Sequence, residues 1–142
     1  MFLGRHQHNL DEKGRLALPA KYREELQDGV VVTRGFDRCL LVYPMAAWIP
    51  LAERVSALSI GDPDGRVLRR MLFANAVDVQ LDRQGRILVP AELRVHAELE
   101  REAIVAGMHA FLEIWSPAKW AEQDELVERD GASIAERLAA LV

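Results

Sequence analysis

The hydrophobic pattern of this chain is written twice. In residues 10–18 apolar positions alternate with small or polar ones, so Leu16 and Leu18 share one face of an extended segment. Ile87 and Val89 do the same within residues 81–89. A tight turn opens each segment, Asp11 to Gly14 and Asp82 to Gly85. Asp favours turns by accepting bonds from nearby backbone amides, and Gly tolerates positive φ. Pro19 and Pro90 then stand where a helix begins, a place that tolerates a missing amide. Tyr22 and Leu26, four apart, give the first of these helices an apolar stripe. Val30–Val32 reads as a β-branched strand and Leu40–Tyr43 as a second apolar strand. Turn signals at Gly35, Asp37 and Pro44 bound them. The predicted unit is strand, turn, strand, short helix, two strands and a longer helix.

The duplication is close. Leu10–Arg23 aligns with Leu81–Arg94 at an offset of 71, and seven of these 14 positions are identical. Farther on the offset becomes 72: Val30–Val32 falls on Glu102–Ile104, Gly35-Phe36 on Gly107-Met108, Leu40–Tyr43 on Leu112–Trp115, and Trp48 on Trp120. Repetition on this scale predicts two structural units of one kind. Between them Val55 and Leu58 suggest a helix whose start Pro50 disturbs. Ser59–Gly65 reads as a break. A second helix is expected over 66–75, with Leu68, Met71 and Leu72 on one face and Arg66, Arg69 and Arg70 on the other. Ser116-Pro117 opens a further helix. Gly131 is expected to end it, before a last amphipathic helix marked by Ile134, Leu138 and Leu141.

Units of about 45 residues bury little surface alone. Interleaving their strands buries more and removes open edges. The expected fold is therefore mainly β with helices (α+β), one pseudo-twofold body built from two repeats. Its segments are residues 1–50 and 77–121 as the two modules, 51–76 as a helical connector and 122–142 as a helical tail.

Charge changes this picture only when it is divided. The net charge is −4. Residues 1–50 carry 7 basic and 6 acidic groups, 51–100 carry 7 and 8, and 101–142 carry 4 and 8. The acidity is concentrated at the end, and the rest can present a local basic face. No apolar run approaches the ~20 residues of a membrane span. Arg5, His6 and His8 interrupt any leader-like stretch after Met1, and the single Cys39 has no partner for an internal disulfide. A reducing cytosol is the expected home.

The doubled L-D-x-x-G-R-φ-x-φ-P-A-x-φ-R pattern resembles the MraZ family of bacterial transcriptional regulators, whose chains carry two AbrB-like (SpoVT-AbrB) modules. Met1-Phe2-Leu3-Gly4, the turns Asp11–Arg15 and Asp82–Arg86, Tyr43-Pro44, Arg70-Met71-Leu72 and the spacing of Trp48 and Trp120 carry the resemblance over nearly the whole chain. It implies an AbrB-type swapped-hairpin β-barrel. It also implies binding of double-stranded DNA at promoter direct repeats and repression of the division and cell-wall gene cluster, including the protein's own gene. Assembly into a ring-shaped homo-oligomer follows from it as well. Two departures stand out. Pro50 lies where the family has a continuous helix. The second turn carries Arg83-Gln84 where the first carries Glu12-Lys13.

Arg15 and Arg86 lead the candidate DNA-contacting residues. Each follows a Gly turn, and a guanidinium there can fork onto phosphate or onto the O6/N7 edge of guanine. The competing reading is that Asp11–Arg15 and Asp82–Arg86 merely staple their own hairpins. Lys13, Arg83 and Arg5 complete the expected contact set, and Lys21, Arg23 and Arg94 can enlarge it. Asp11, Gly14, Asp82 and Gly85 shape the turns. Arg66, Arg69 and Arg70 read as a solvated face or as a subunit contact for the acidic Glu122, Asp124, Glu125 and Glu128.

No cofactor, metal, membrane or small-molecule substrate is expected. His6 and His8 share a strand face but have no third ligand at suitable spacing. Cys39 reads as a small core residue, and Trp48 and Trp120 as packing for helices. An enzyme using Asp11 or Asp82 with a His lacks a nucleophile elbow and a phosphate-cradling loop. A scaffold ring without nucleic acid and an antitoxin-like AbrB regulator compete with the promoter-binding regulator.

Overall fold

The computed structural model describes residues 1–142. The first repeat forms β1 (Arg5–Asn9), β2 (Arg15–Ala17), a 3-10 helix (Ala20–Leu26), β3 (Val30–Arg34), β4 (Leu40–Pro44) and α1 (Met45–Ser56). A connector follows, made of α2 (Pro63–Arg69) and a π-helical turn (Arg70–Ala74). The second repeat forms β5 (Val77–Val79), β6 (Arg86–Leu88), α3 (Ala91–His96), β7 (Glu102–Gly107), β8 (Leu112–Trp115) and α4 (Pro117–Leu138), with a final 3-10 turn at Ala139–Leu141. The protein is α+β, and all its strand pairs are antiparallel.

The sheets exchange strands between the repeats. The six-stranded sheet runs β1-β7-β8-β4-β3-β5. Exchanging the repeats turns this order into its own reverse, which is the mark of a pseudo-twofold axis between β4 and β8. The first strand of each repeat lies on the other repeat's third strand: His6 opposite Val105, and Val77 opposite Val32. The same axis passes through the two-stranded ribbon of β2 and β6, where Leu16 faces Ile87. β1 and β5 are the sheet's outer strands, and no ladder joins them.

The core is shared by both repeats. One cluster of 19 buried residues takes Leu16, Leu18, Tyr22, Leu26, Val30 and Val42 from the first repeat. Ile87, Val89, Leu93, Ala103, Val105 and Ile114 come from the second. Leu16 and Ile87 are fully buried, each such side chain being worth about 1.5–3 kcal/mol of burial. The predicted alternation at 16, 18 and 87, 89 is thus the inward face of the ribbon. A smaller cluster holds Cys39, Leu41 and Trp115. Burial, with Glu113 and Asp37 nearby, pushes the Cys39 thiol up to about 12.

Four sequence expectations are corrected. Opposite Ile114 lies Val105, as Val32 lies opposite Val42. The third strands of the repeats therefore correspond at an offset of 73, and Val30 matches Ala103 rather than Glu102. The offset returns to 72 in the fourth strands because the β7–β8 connection is one residue shorter. Burial supplies the reason: Ala103 and Val105 point inward, whereas Glu102 is exposed.

The other three corrections concern helices. α1 begins at Met45 and passes through Pro50. Pro50 lies on the exposed side, as does Ala46, whose carbonyl loses its helical donor to the proline. Trp48 anchors the preceding turn against Tyr43 and Phe73, both 5.9 Å between ring centroids. The break after α1 lies earlier than expected, over residues 57–62 rather than 59–65, so Leu58 falls outside the helix. Asp62 caps α2 by accepting a bond from the Asp64 amide at 3.0 Å, with Pro63 in the first turn. α4 continues through Gly131 to Leu138. One glycine costs a helix about 1 kcal/mol, which Ala132, Ala135 and Glu136 beyond it help offset. Ser116 caps α4 as expected, its hydroxyl accepting from the Lys119 amide at 3.1 Å. α1 and α4 run across the expected limits at residues 50 and 121. No helix is long and apolar enough to cross a membrane.

Candidate nucleic-acid interface

Each Asp–Gly–Arg turn is held by the same bonds. In the first, Oδ1 of Asp11 accepts from the backbone N–H of Lys13 and of Arg15, both at 2.9 Å. In the second, Oδ1 of Asp82 accepts from the N–H of Gln84 and of Arg86, again at 2.9 Å. Gly14 and Gly85 close the turns with φ of +82° and +73°, a region that L side chains enter at a cost of roughly 1–2 kcal/mol. The second carboxylate oxygen takes the arginine's Nε: 2.6 Å from Arg15 to Asp11 and 2.7 Å from Arg86 to Asp82. Both carboxyls sit below the usual range, chiefly because of the backbone N–H of Arg15 or Arg86. Desolvation opposes this, and the guanidinium and the remaining turn amide reinforce it.

The two readings of the Asp–Arg pairs are therefore compatible. Each carboxylate binds only the Nε side of its guanidinium. The Nη atoms of Arg15 hydrogen-bond to nothing in the protein, and those of Arg86 make one looser ion pair, Nη1 to Asp11 at 3.7 Å. Arg15 and Arg86 are 36% and 26% exposed. An anchored Nε with an open Nη edge is the geometry for a bidentate contact with phosphate or guanine.

The ribbon brings the two turns onto one surface. Arg15 lies opposite Leu88, and Arg86 opposite Ala17. With Leu16 and Ile87 pointing inward, the outward face carries Arg15, Ala17, Arg86 and Leu88. Leu88 is 52% exposed and forms the apolar part of that face. It is absent from the residues that sequence reasoning singles out, although the alternation that buries Ile87 and Val89 already places it beside Arg86.

The remaining candidates separate. Lys13 and Arg83 stand exposed at the turn tips without ionic partners. Arg5 lies at the far end of β1, roughly 20 Å of extended chain from Asp11. Its Nη1 meets Asp124 of α4 at 2.5 Å, and its guanidinium lies 5.8 Å from the centre of the Trp120 ring. Lys21 rests over Tyr22. Arg23 and Arg94 donate to the carbonyls of Leu18 and Val89. Arg66 and Arg69 tie down the connector, Arg66 through the Ile60 carbonyl at 2.8 Å and Arg69 through the carbonyls of Leu58 and Ser56.

Comparison with known proteins agrees with the duplication. The family described as "MraZ protein, putative antitoxin-like" matches twice, over residues 1–71 and 72–141. A protein of Thermomicrobium roseum named "Transcriptional regulator MraZ" is 61% identical over 142 residues, all of both chains. One of Roseiflexus castenholzii with the same name is 50% identical over 141 residues, 99% of each chain. Another, of Pediococcus pentosaceus, is 44% identical over 138 residues, 97% of this chain and 96% of its own. Two family matches that together span the chain, on a fold built from two exchanged repeats, place this chain in the MraZ family.

Proposed function

We propose that the chain is a sequence-specific DNA-binding transcriptional regulator that docks the β2–β6 ribbon in the major groove. The observation that carries this reading is the pair of anchored, outward-facing guanidiniums, Arg15 and Arg86, on one narrow ribbon. A major groove about 12 Å wide admits a two-stranded ribbon. Arg15 and Arg86 reach guanine edges or phosphates, and Ala17 and Leu88 meet thymine methyls. Lys13 and Arg83 add phosphate contacts from the tips, and Arg5 serves as an outer contact once released from Asp124. The regulator reading is preferred to an enzyme because the relatives are named as regulators and the turns commit their carboxylates to backbone amides.

The finer expectations belong to the same proposal. Strand exchange between the repeats supports an AbrB-like swapped-hairpin arrangement, with a barrel closed around the shared core as its finer form. A single ribbon neutralises only a few phosphates, so firm binding by an acidic chain calls for several copies acting together. A ring on direct repeats upstream of the division and cell-wall genes, repressing that operon and its own gene, meets this need.

The test is a mobility shift on the operon's upstream DNA with salt varied. Log affinity is expected to fall linearly with log salt, by about 0.9 per neutralised phosphate. A ladder of shifted species should track the number of repeats. Absence of any shift at low salt overturns the reading.

A further inference from the structure

Each turn is backed by an arginine from the other repeat. The Nε of Arg94 donates to the carbonyl of Val89 at 3.0 Å, and the amide of Val89 donates to the carbonyl of Gly14 at 2.9 Å. The guanidinium itself lies behind Gly14: a Cβ there would come within 2.8 Å of its Cζ and Nε. The mirror arrangement holds at the other turn. Arg23 donates to the carbonyl of Leu18 at 3.2 and 3.3 Å, the Leu18 amide donates to the carbonyl of Gly85 at 3.0 Å, and a Cβ on Gly85 would collide with the Arg23 guanidinium. Arg94 follows β6 yet supports Asp11–Arg15. Arg23 follows β2 yet supports Asp82–Arg86.

We propose that Arg94 and Arg23 are positioning residues that set the aim of Arg15 and Arg86 across the pseudo-twofold axis, so that neither turn is set by its own repeat alone. The inference rests on the DNA-binding reading of the turns. Two features make arginine the residue for the task. Its guanidinium binds a carbonyl while its bulk lies against a glycine, and a lysine ammonium, a point charge, does only the first. Each path is also short and continuous: guanidinium, carbonyl, peptide, amide, turn glycine. A turn adjoining an arginine that reads DNA tolerates little displacement, since an error of about 1 Å in a preorganised site can cost a hundredfold. The arrangement also accounts for the invariance of Gly and the final Arg between the two copies of the pattern: the glycine leaves room for the opposite arginine.

The test uses the full chain and two readouts. Hydrogen exchange by mass spectrometry follows residues 10–16 and 81–87 separately. Arg94→Lys is expected to speed exchange in 10–16 and leave 81–87 unchanged, and Arg23→Lys the reverse. DNA affinity is expected to fall about tenfold for each. The loss from Arg94→Lys should not add to that from Arg15→Ala but should add to that from Arg86→Ala. Faster exchange only in the turn of the substituted repeat overturns the proposal. So does unchanged exchange in both turns with additive losses throughout, the signature of direct phosphate contacts. If Arg15→Ala and Arg86→Ala leave DNA binding intact, the DNA reading fails while the exchange data still decide the coupling. Should the lysine variants unfold, Gly14→Ala reads the same link from the other end. By displacing Arg94 it should speed exchange in residues 89–94, and no change there counts against the proposal.

Discussion

The two turns share a scaffold and differ at their tips. Bond for bond their backbones match: the same carboxylate oxygen takes two amides at 2.9 Å, and the same Nε is anchored. The side chains they carry are unequal. The first turn presents Glu12 and Lys13, the second Arg83 and Gln84. Arg15 pairs with Asp11 alone, whereas Arg86 serves Asp82 at 2.7 Å and leans toward Asp11 at 3.7 Å. Duplication has preserved Asp, Gly, the anchored Arg and the backing Arg, and has let the turn tips diverge. Under the proposed DNA-binding reading, such a pair would meet two unlike half-sites with one geometry.

The severest test removes what the turns have in common. Arg15→Ala combined with Arg86→Ala is expected to abolish specific binding in a mobility shift. Each lost base contact is worth about 1–3 kcal/mol, and the loss recurs in every copy bound to one DNA. A footprint that survives the double substitution shows that the shared geometry is not the interface.

The comparison extends inward. Leu16 and Ile87 face each other across the ribbon, both fully buried. Leu16→Ala and Ile87→Ala should each cost about 2–5 kcal/mol in denaturant unfolding, and by similar amounts. A large inequality would mean that one repeat carries the core. The third test sharpens the difference at the surface. Removing Arg15 leaves Asp11 near Arg86, but removing Arg86 leaves Asp82 without a cation on the face proposed to meet phosphate. Arg86→Ala is therefore expected to weaken DNA binding more than Arg15→Ala, both within about 1–3 kcal/mol per contact. The opposite order would show that the freer guanidinium, Arg15, dominates.

Much of this is legible in the sequence because the repeat is local in its chemistry. The alternation at 16, 18 and 87, 89, the turn residues, the capping Ser116 and the order of elements all act within a few residues. The exchange of strands is legible only as a need to share a core, since the partners of β1 and β5 lie in the other half of the chain. The register of β7 escapes the sequence because Glu102-Ala103-Ile104 aligns by eye with Val30–Val32, while inward alternation starts at Ala103. Pro50 and Gly131 look like breakers when read alone. Packing around Trp48 and strong helix formers after Gly131 outweigh those local costs. For the candidate site, the two Asp–Gly–Arg turns that carry Arg15 and Arg86 are evident from spacing. The attachments of Arg23 and Arg94, and the pairing of Arg5 with Asp124, depend on side chains meeting across distant segments and leave no local pattern.

The smallest expected effect concerns the carboxylates that both turns retain. Asp11 and Asp82 have folded-state values depressed below the ordinary 3.8. A depressed carboxylate contributes stability that is fully present above its unfolded value and is lost as pH falls through the folded one. Asp11→Asn keeps a side-chain oxygen for the amides of Lys13 and Arg15 but gives up the charge facing the guanidinium. The stability advantage of the natural chain over Asp11→Asn is therefore expected to be constant from neutral pH down to about 5. It should then shrink as the pH passes below 3.8. Asp82→Asn should behave in the same way, because the leading cause in both turns is the amide at the arginine and not the unequal tip. Melting curves of the three proteins across this range decide it. Parallel curves would mean that charge contributes nothing and the turns are held by amide bonds alone. Divergence for only one aspartate would place the inequality in the scaffold as well as at the tips.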